Sequence, residues 1–249
     1  MEQTLALQQI GLIQAKAEPA YFVRFENFPY DDWKPARQRY DFVNAHVKGN
    51  SLLDIGCGYY PITEEVNVER KVGIDVSRRA AEKAKKDFHQ FYFIDITQTD
   101  KDLLRSQLGT FDTVVASEVL EHLENPGATI DKVAYLLNPR GRFIVTVPNG
   151  NSLAGNIDKL RNNGEYNRFK LYHRTHISLL KTQKWEALFK NAGLEVIAFD
   201  FRPSDLVEGF PRETTPGWKT FCRLAPNYFA HQYFYVLEKP ENKFLEEAK

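Results

Sequence analysis

The chain has 249 residues, with 33 Lys or Arg against 33 Asp or Glu, so its net charge is close to zero. That balance argues against a dedicated nucleic-acid-binding protein, which carries a basic excess. No apolar run approaches the roughly 20 residues needed to span a bilayer, and residues 1–4 lack the start of a secretion signal. Its two cysteines, Cys57 and Cys222, form neither a disulfide framework nor a metal-site spacing, which favours a cytoplasmic location.

Strands and helices alternate along the chain, which predicts an α/β fold with a doubly wound sheet and helices on both faces. An apolar helix face runs through 33–47 and ends before Gly49. Asn125 and Pro126 have the order of a helix cap and a first helical residue, and a later helix closes at Gly193. Predicted strands lie at 51–53, 72–74, 91–94, 111–116, 194–201 and 232–237.

The first two strands carry the most informative motif. The first runs into Asp54, Gly56 and Gly58, and the second ends in Asp75, roughly 20 positions after Asp54. Such glycines let a turn approach a nucleotide, and the acid accepts hydrogen bonds from a ribose diol. Pro61 follows where a dinucleotide fold packs its helix closely on the strand, so an NAD site is disfavoured.

The segment Leu53–Gly58 resembles the first motif of the class I S-adenosylmethionine (SAM)-dependent methyltransferases, with Tyr60 in place of the usual third glycine. The likeness covers roughly residues 35–200. Residues 35–37 resemble the entry of the ubiquinone-biosynthesis-type small-molecule O-methyltransferases. The resemblance implies a Rossmann-like sheet of seven strands, with the fifth strand at 140–147 and an antiparallel C-terminal hairpin edge. It also implies SAM as cofactor and transfer of a methyl group to a small molecule.

The resemblance assigns roles to the polar strand ends. Asp75 is expected to bind the ribose hydroxyls, and Asp95 the adenine amino group together with the Ile96 amide. Arg37 is either a clamp for the SAM carboxylate or an ordinary exposed helix charge, and Asp54 is expected to position the loop or the SAM ammonium. The predicted cofactor-binding residues are Arg37, Asp54, Gly56, Cys57, Gly58, Asp75, Val76, Asp95, Ile96, Ser117 and Glu118.

Histidines dominate the predicted acceptor side. His122 follows the strand end nearest the methyl group and titrates near neutrality, so it is a candidate general base; alternatively it orients the loop and caps the next helix. A cluster near the end of the 150–177 segment indicates an acceptor with oxygen or anionic character, unless it is a solvated surface cluster. The candidates are His122, His173 and His176 as catalytic residues, with Asn149, Tyr172 and Arg174 as substrate contacts.

Rival functions remain open. Glu118, Glu121 and His122 have the spacing of metal-dependent small-RNA 3′-end 2′-O-methyltransferases, with His173 or His176 as a later ligand. The same motif is widespread in metal-free relatives, and the net charge does not favour RNA, so neither a metal nor a nucleic acid is predicted. A non-catalytic SAM-fold subunit that stabilises a partner is the second rival.

Three aromatic segments fall outside the regular alternation. Residues 1–34 are predicted to form a lid, and 35–249 a methyltransferase domain with substrate-side insertions at about 150–177 and 202–230. The last insertion mixes aromatic with basic residues, so peripheral contact with a membrane is a further alternative, which liposome co-sedimentation would test. The sequence does not indicate an oligomeric state.

Overall fold

The chain folds around a seven-stranded mixed sheet. The computed structural model describes residues 34–77, 82–161, 176–204 and 215–241. The spatial order of the strands is β3-β2-β1-β4-β5-β7-β6, with β7 antiparallel to β5 and β6 and the remaining neighbours parallel. This confirms the predicted Rossmann-like sheet with an antiparallel C-terminal edge. The strands are β1 Ser51–Ile55, β2 Arg70–Asp75, β3 Gln90–Phe93, β4 Phe111–Ser117, β5 Leu137–Pro148, β6 Glu195–Pro203 and β7 Ala230–Glu238.

The strand order reverses at β1, which has β2 on one side and β4 on the other. In open α/β sheets, ligands bind in the crevice at the carboxyl ends of the strands beside such a reversal. The turns that follow β1 and β4 therefore meet at the expected binding crevice.

Local signals set the helix ends. The Asn125 side chain accepts a hydrogen bond from the Ala128 amide at 3.1 Å, and Pro126 is the first residue of its helix, as predicted. The sequence analysis missed the helix that Asp100 caps. The helices are α1 Arg37–His46, α2 Lys101–Leu108, α3 Pro126–Leu136, α4 Leu153–Arg161, α5 Thr182–Asn191, α6 Trp218–Cys222 and α7 Pro226–Phe229, with 3₁₀ turns at Lys85–Asp87 and Leu120–His122.

Apolar side chains cover both faces of the sheet. Successive strand residues point to opposite faces, so Leu52 belongs to one buried cluster and Leu53 to the other. Val43 of α1 packs in the first cluster, whereas Val133 of α3 and Trp185 of α5 pack in the second. Burial on both faces explains why the central strands read as nearly continuous apolar runs.

The predicted insertions begin at the carboxyl edge of the sheet. Helix α4 follows β5, and α6 and α7 lie between β6 and β7. Trp218 of α6 is buried, whereas Leu224, between α6 and α7, is 80% exposed. Residues 1–33 and 205–214 lie outside the described residues, and the lid and the membrane contact of the last insertion stay predictions. Within the described ranges, no helix is long and apolar enough to cross a membrane.

Candidate active site

The turn after β1 requires glycine at two positions. Gly56 and Gly58 both have φ of 62°, in the left-handed region that favours glycine. A Cβ on Gly56 would lie 2.7 Å from Val119, which leaves no room for a side chain. A Cβ on Gly58 would meet nothing closer than the Gly56 carbonyl at 4.0 Å, so this side of the turn is open. Cys57, between them, is buried.

Asp75 ties the end of β2 to this turn. Its carboxylate accepts from the Gly58 amide and from the Ser77 amide, each at 2.8 Å. A carboxylate offers about four lone-pair positions, so one group can accept from several donors, as a ribose contact requires. The ribose role, like that of the adjacent Val76, stays a prediction that this placement suits.

Asp54 anchors the chain beyond the glycines. It is buried and accepts from the Thr63 hydroxyl at 2.7 Å. Burial raises the pKa of Asp54 to about 7, although the Thr63 bond and the Lys71 charge act in the opposite direction. Lys71 donates to the Glu64 and Val66 carbonyls of the same loop. Of the two roles expected for Asp54, the geometry shows the loop-positioning one.

The end of β3 is a turn built by Asp95. The Asp95 carboxylate accepts from the Thr97 amide at 2.9 Å and from the Thr97 hydroxyl at 2.6 Å. Lys132 of α3 reaches across to the Ile96 and Thr97 carbonyls, at 2.8 and 3.0 Å. This cation fixes the turn on which the adenine contacts of Asp95 and Ile96 are predicted.

Glu118 follows β4 in a strained conformation. Its φ is 58°, which is uncommon for a residue with a side chain and is found at functional sites. The carboxylate is held from β5 by the Thr146 hydroxyl at 3.1 Å and from β7 by the Gln232 amide at 2.9 Å. Ser117 shares the Thr146 hydroxyl at 2.8 Å. Hydrogen bonds from β5 and β7 thus fix the carboxylate that follows β4.

Glu121, His122 and His176 form a compact cluster beyond Glu118. One potential ligand atom from each of the three lies within 4.8 Å of the other two. The rings of His122 and His176 meet edge to face, with centroids 4.8 Å apart. The Ile177 and Ser178 amides donate to the Glu121 carbonyl, which brings His176 to the 3₁₀ turn. Two of the three predicted catalytic histidines are therefore neighbours.

Glu121 has no favoured role in the predictions made from the sequence, unlike the two histidines of the cluster. Its side chain is fully buried, and neither carboxylate oxygen has a hydrogen-bond partner among the described residues. Burial, followed by the Glu118 charge, raises the pKa of Glu121 well above its usual range, while Arg39 opposes the shift.

The two arginines of α1 have different surroundings. Arg37 has a side chain 63% exposed and binds Glu65 with both terminal nitrogens, at 2.5 and 2.9 Å. Arg39 is buried, and its charge acts on Glu121. The surroundings of Arg37 favour the exposed-charge alternative over the carboxylate clamp. Arg39 was not singled out from the sequence. Its position beside Tyr40, on the apolar side of the helix, could have indicated that its charge is buried.

The remaining acceptor-side candidates are only partly described. Asn149 is buried, and its side-chain amide donates to the Asn227 carbonyl at 3.0 Å and to the Ala230 carbonyl at 2.9 Å. These bonds attach the exit of β5 to α7 and β7, and the substrate contact of Asn149 stays a prediction. Tyr172, His173 and Arg174 lie outside the described residues, and their roles stay predictions.

Known proteins share both the sequence pattern and the fold. A family model described as a methyltransferase domain matches residues 29–198. A ubiquinone biosynthesis O-methyltransferase of Azoarcus sp. (strain BH72) is 25% identical over 233 residues, which cover 85% of this chain and 99% of that protein. Another enzyme of that name, from Xanthomonas euvesicatoria, is 28% identical over 68% of this chain and 72% of its own length.

Solved structures agree on the fold. The magnesium protoporphyrin IX methyltransferase of Synechocystis, solved with bound SAH, has a TM-score of 0.58 and 17% identity over 92% of this chain and 99% of its own. An N-methyltransferase from Bradyrhizobium japonicum has a TM-score of 0.51 and 17% identity over 82% and 94%. The matched domain and the geometry at the carboxyl edge together show that this chain belongs to the SAM-dependent methyltransferase family.

Proposed function

We propose that this methyltransferase transfers the methyl group of SAM to a hydroxyl oxygen of a small-molecule acceptor. The observation that carries the proposal is the cluster of Glu121, His122 and His176 beyond Glu118, because it offers groups that can take a proton from a hydroxyl. The printed names of the bacterial O-methyltransferases support oxygen as the receiving atom.

The residues at the carboxyl edge fit the cofactor. The turn at Gly58 has open space on its ligand side. The Asp75 carboxylate suits the ribose hydroxyls, and Asp95 with the Ile96 amide suits the adenine. Glu118, held from β5 and β7, suits the methionine part. When bound, SAM supplies a methyl group that its positively charged sulfur already makes electrophilic.

The chain then has two tasks: orienting the acceptor and handling its proton. Alignment of the acceptor oxygen opposite the carbon–sulfur bond can contribute about 7–11 kcal/mol. The His122 side chain is 13% exposed, so it is largely buried but still reaches the surface. Its imidazole accepts the hydroxyl proton as the new carbon–oxygen bond forms and the carbon–sulfur bond breaks, and then releases the proton to water.

An acceptor panel tests this assignment. We expect S-adenosylhomocysteine release with phenolic and catecholic hydroxyls and little with anilines of the same shape. His122→Ala should lower kcat by about 10²–10⁴-fold while SAM affinity, measured by calorimetry, is retained. His46→Ala is the matched control, because this imidazole bonds the Phe42 carbonyl at the end of α1. Preferential methylation of the anilines, or full turnover in His122→Ala, would contradict the proposal.

The proposed location is the cytoplasm. Cys57 and Cys222 both carry free, buried thiols. Free thiols persist in reducing compartments, so they support this location.

A further inference from the structure

We propose that Glu121, His122 and His176 bind a divalent metal ion, and that their donor atoms suit Zn²⁺. A metal is not favoured by the sequence, because the Glu-x-x-Glu-His spacing alone is shared with metal-free proteins. The three-dimensional arrangement adds two observations. His176 lies beside Glu121 and His122, and the buried Glu121 carboxylate accepts no hydrogen bond from the described residues.

The first support is the distance between the ligand atoms. All three lie within 4.8 Å of one another. Tetrahedral Zn²⁺ with bonds of about 2.1 Å places two of its ligand atoms about 3.4 Å apart. Closing the site therefore takes side-chain adjustments of about 1.4 Å or less. Glu121 Oε1 and His122 Nε2 are 3.9 Å apart, so this pair needs the smaller change.

The second support is the Glu121 carboxylate. It is fully buried, and among the described residues neither oxygen accepts a hydrogen bond. Buried carboxylates are costly unless they are paired, hydrogen-bonded or bound to a metal. The nearby charge of Arg39 does not supply the missing hydrogen bonds, and the 3.9 Å between Glu121 Oε1 and His122 Nε2 is too long for one. A metal ion between Glu121 and the imidazoles would satisfy one or both oxygens.

The third support is that the ligands are held in place. Glu121 and His122 share a 3₁₀ turn. His176 precedes two amides, of Ile177 and Ser178, that donate to the Glu121 carbonyl at 2.9 Å. The Ser178 hydroxyl also donates to the Leu123 carbonyl at 2.6 Å. Two chain segments are thereby fastened together at the cluster, which is the pre-organisation that a metal site needs.

The donor set indicates which ion fits. Two imidazoles and one carboxylate are a ligand set of catalytic zinc sites, where the fourth position stays open for water or substrate. Mg²⁺ prefers oxygen ligands, so this cluster suits it poorly. Mn²⁺ accepts carboxylates readily and is the competing ion.

The ion's role in catalysis rests on the proposed function, whereas its binding does not. An acceptor hydroxyl in the open position would have a lowered pKa and release its proton to water. The resulting alkoxide or phenoxide would form the carbon–oxygen bond while the carbon–sulfur bond breaks, leaving S-adenosylhomocysteine and the methyl ether. With the ion bound, the His122 imidazole would be a ligand and not the base, so the base role that the proposed function gives His122 applies to the metal-free protein.

Metal binding to the full chain, without SAM or acceptor, tests the site. After chelation with EDTA and dialysis, we expect calorimetry with Zn²⁺ alone to show about one ion per chain. Glu121→Gln and His176→Ala should each weaken binding by about 100-fold or more. His46→Ala should bind as the wild type does, and circular dichroism checks that each variant is folded. A parallel titration with Mn²⁺ shows which ion is preferred.

Each outcome has a distinct meaning. No binding at millimolar Zn²⁺, or binding unchanged in both Glu121→Gln and His176→Ala, overturns the site. Preference for Mn²⁺ overturns the choice of ion. Binding lost in those variants but not in His46→Ala supports the site, even if no acceptor is methylated. Methyl transfer that survives complete metal removal overturns the catalytic role of the ion and leaves the proposed function intact.

Discussion

The carboxylates at the edge of the sheet shape the backbone in addition to any contact with a ligand. Asp75 accepts from two backbone amides, Asp95 from the amide and hydroxyl of Thr97, and Asp54 from Thr63 in the following loop. Because each acid fixes the turn that carries it, a substitution changes the shape of the turn together with the ligand contact.

We expect Asp75→Ala to weaken SAM binding by about 1–3 kcal/mol, the cost of losing hydrogen bonds to a charged group. Calorimetry would show this as a roughly 5- to 150-fold higher Kd. Asp131→Ala, at an exposed position on α3, serves as the matched control. An unchanged Kd in folded Asp75→Ala would remove Asp75 from the cofactor site.

At the scale of elements, the helices and strands with strong local signals were the ones predicted from the sequence. The strand end at Asp75, the cap at Asn125 and the left-handed stop at Gly193, with φ of 74°, are present, whereas β1 continues past Asp54 to Ile55. Helix α2 was missed because it has only 8 residues and buries only Leu104 and Leu108, too few for a clear period. The partner of His122 could not be chosen, since the bonds that bring His176 to Glu121 are backbone bonds without a sequence signature.

Alanine substitutions at the two glycines of the turn after β1 should have different effects on stability and on SAM binding. Gly56→Ala would force a methyl group to 2.7 Å from Val119, so we expect a loss of folding stability measured by urea unfolding. Gly58→Ala meets no such neighbour and carries only the left-handed backbone cost of about 1–2 kcal/mol.

The methyl group that Gly58→Ala adds would enter the space where the cofactor is expected. This variant should therefore lose SAM affinity while staying folded. Calorimetry on both variants separates the two effects. Equal destabilisation by both, with SAM affinity retained in Gly58→Ala, would place the cofactor elsewhere.

At the scale of the whole molecule, stability should depend on pH through buried acids. Burial raises the pKa of Asp54 to about 7 and that of Glu121 well above its usual range. The folded state therefore binds protons more tightly than the unfolded state. The stability that Asp54 contributes is fully present below its ordinary pKa of 3.8 and is lost as the pH rises through about 7.

We expect the wild type to lose unfolding free energy from pH 5 to pH 8, and Asp54→Asn to lose less of it, because one of the two buried acids with a raised pKa would be gone. The slopes should differ by up to about 1.4 kcal/mol per pH unit. Urea unfolding at several pH values measures both slopes.

Asp112→Asn is the control, because the pKa of Asp112 is lowered and its contribution is constant across this range. A slope in Asp54→Asn as steep as that of the wild type would show that Asp54 does not hold the proton.

The two amide bonds from Ile177 and Ser178 to the Glu121 carbonyl have an evolutionary consequence. They fasten His176 directly to the turn that carries His122, whatever chain length separates Asn149 from His176. Insertions, deletions and substitutions between those points can then alter which molecule is admitted without displacing the reactive groups. Descendants of such a protein can diverge in substrate while inheriting the same chemistry.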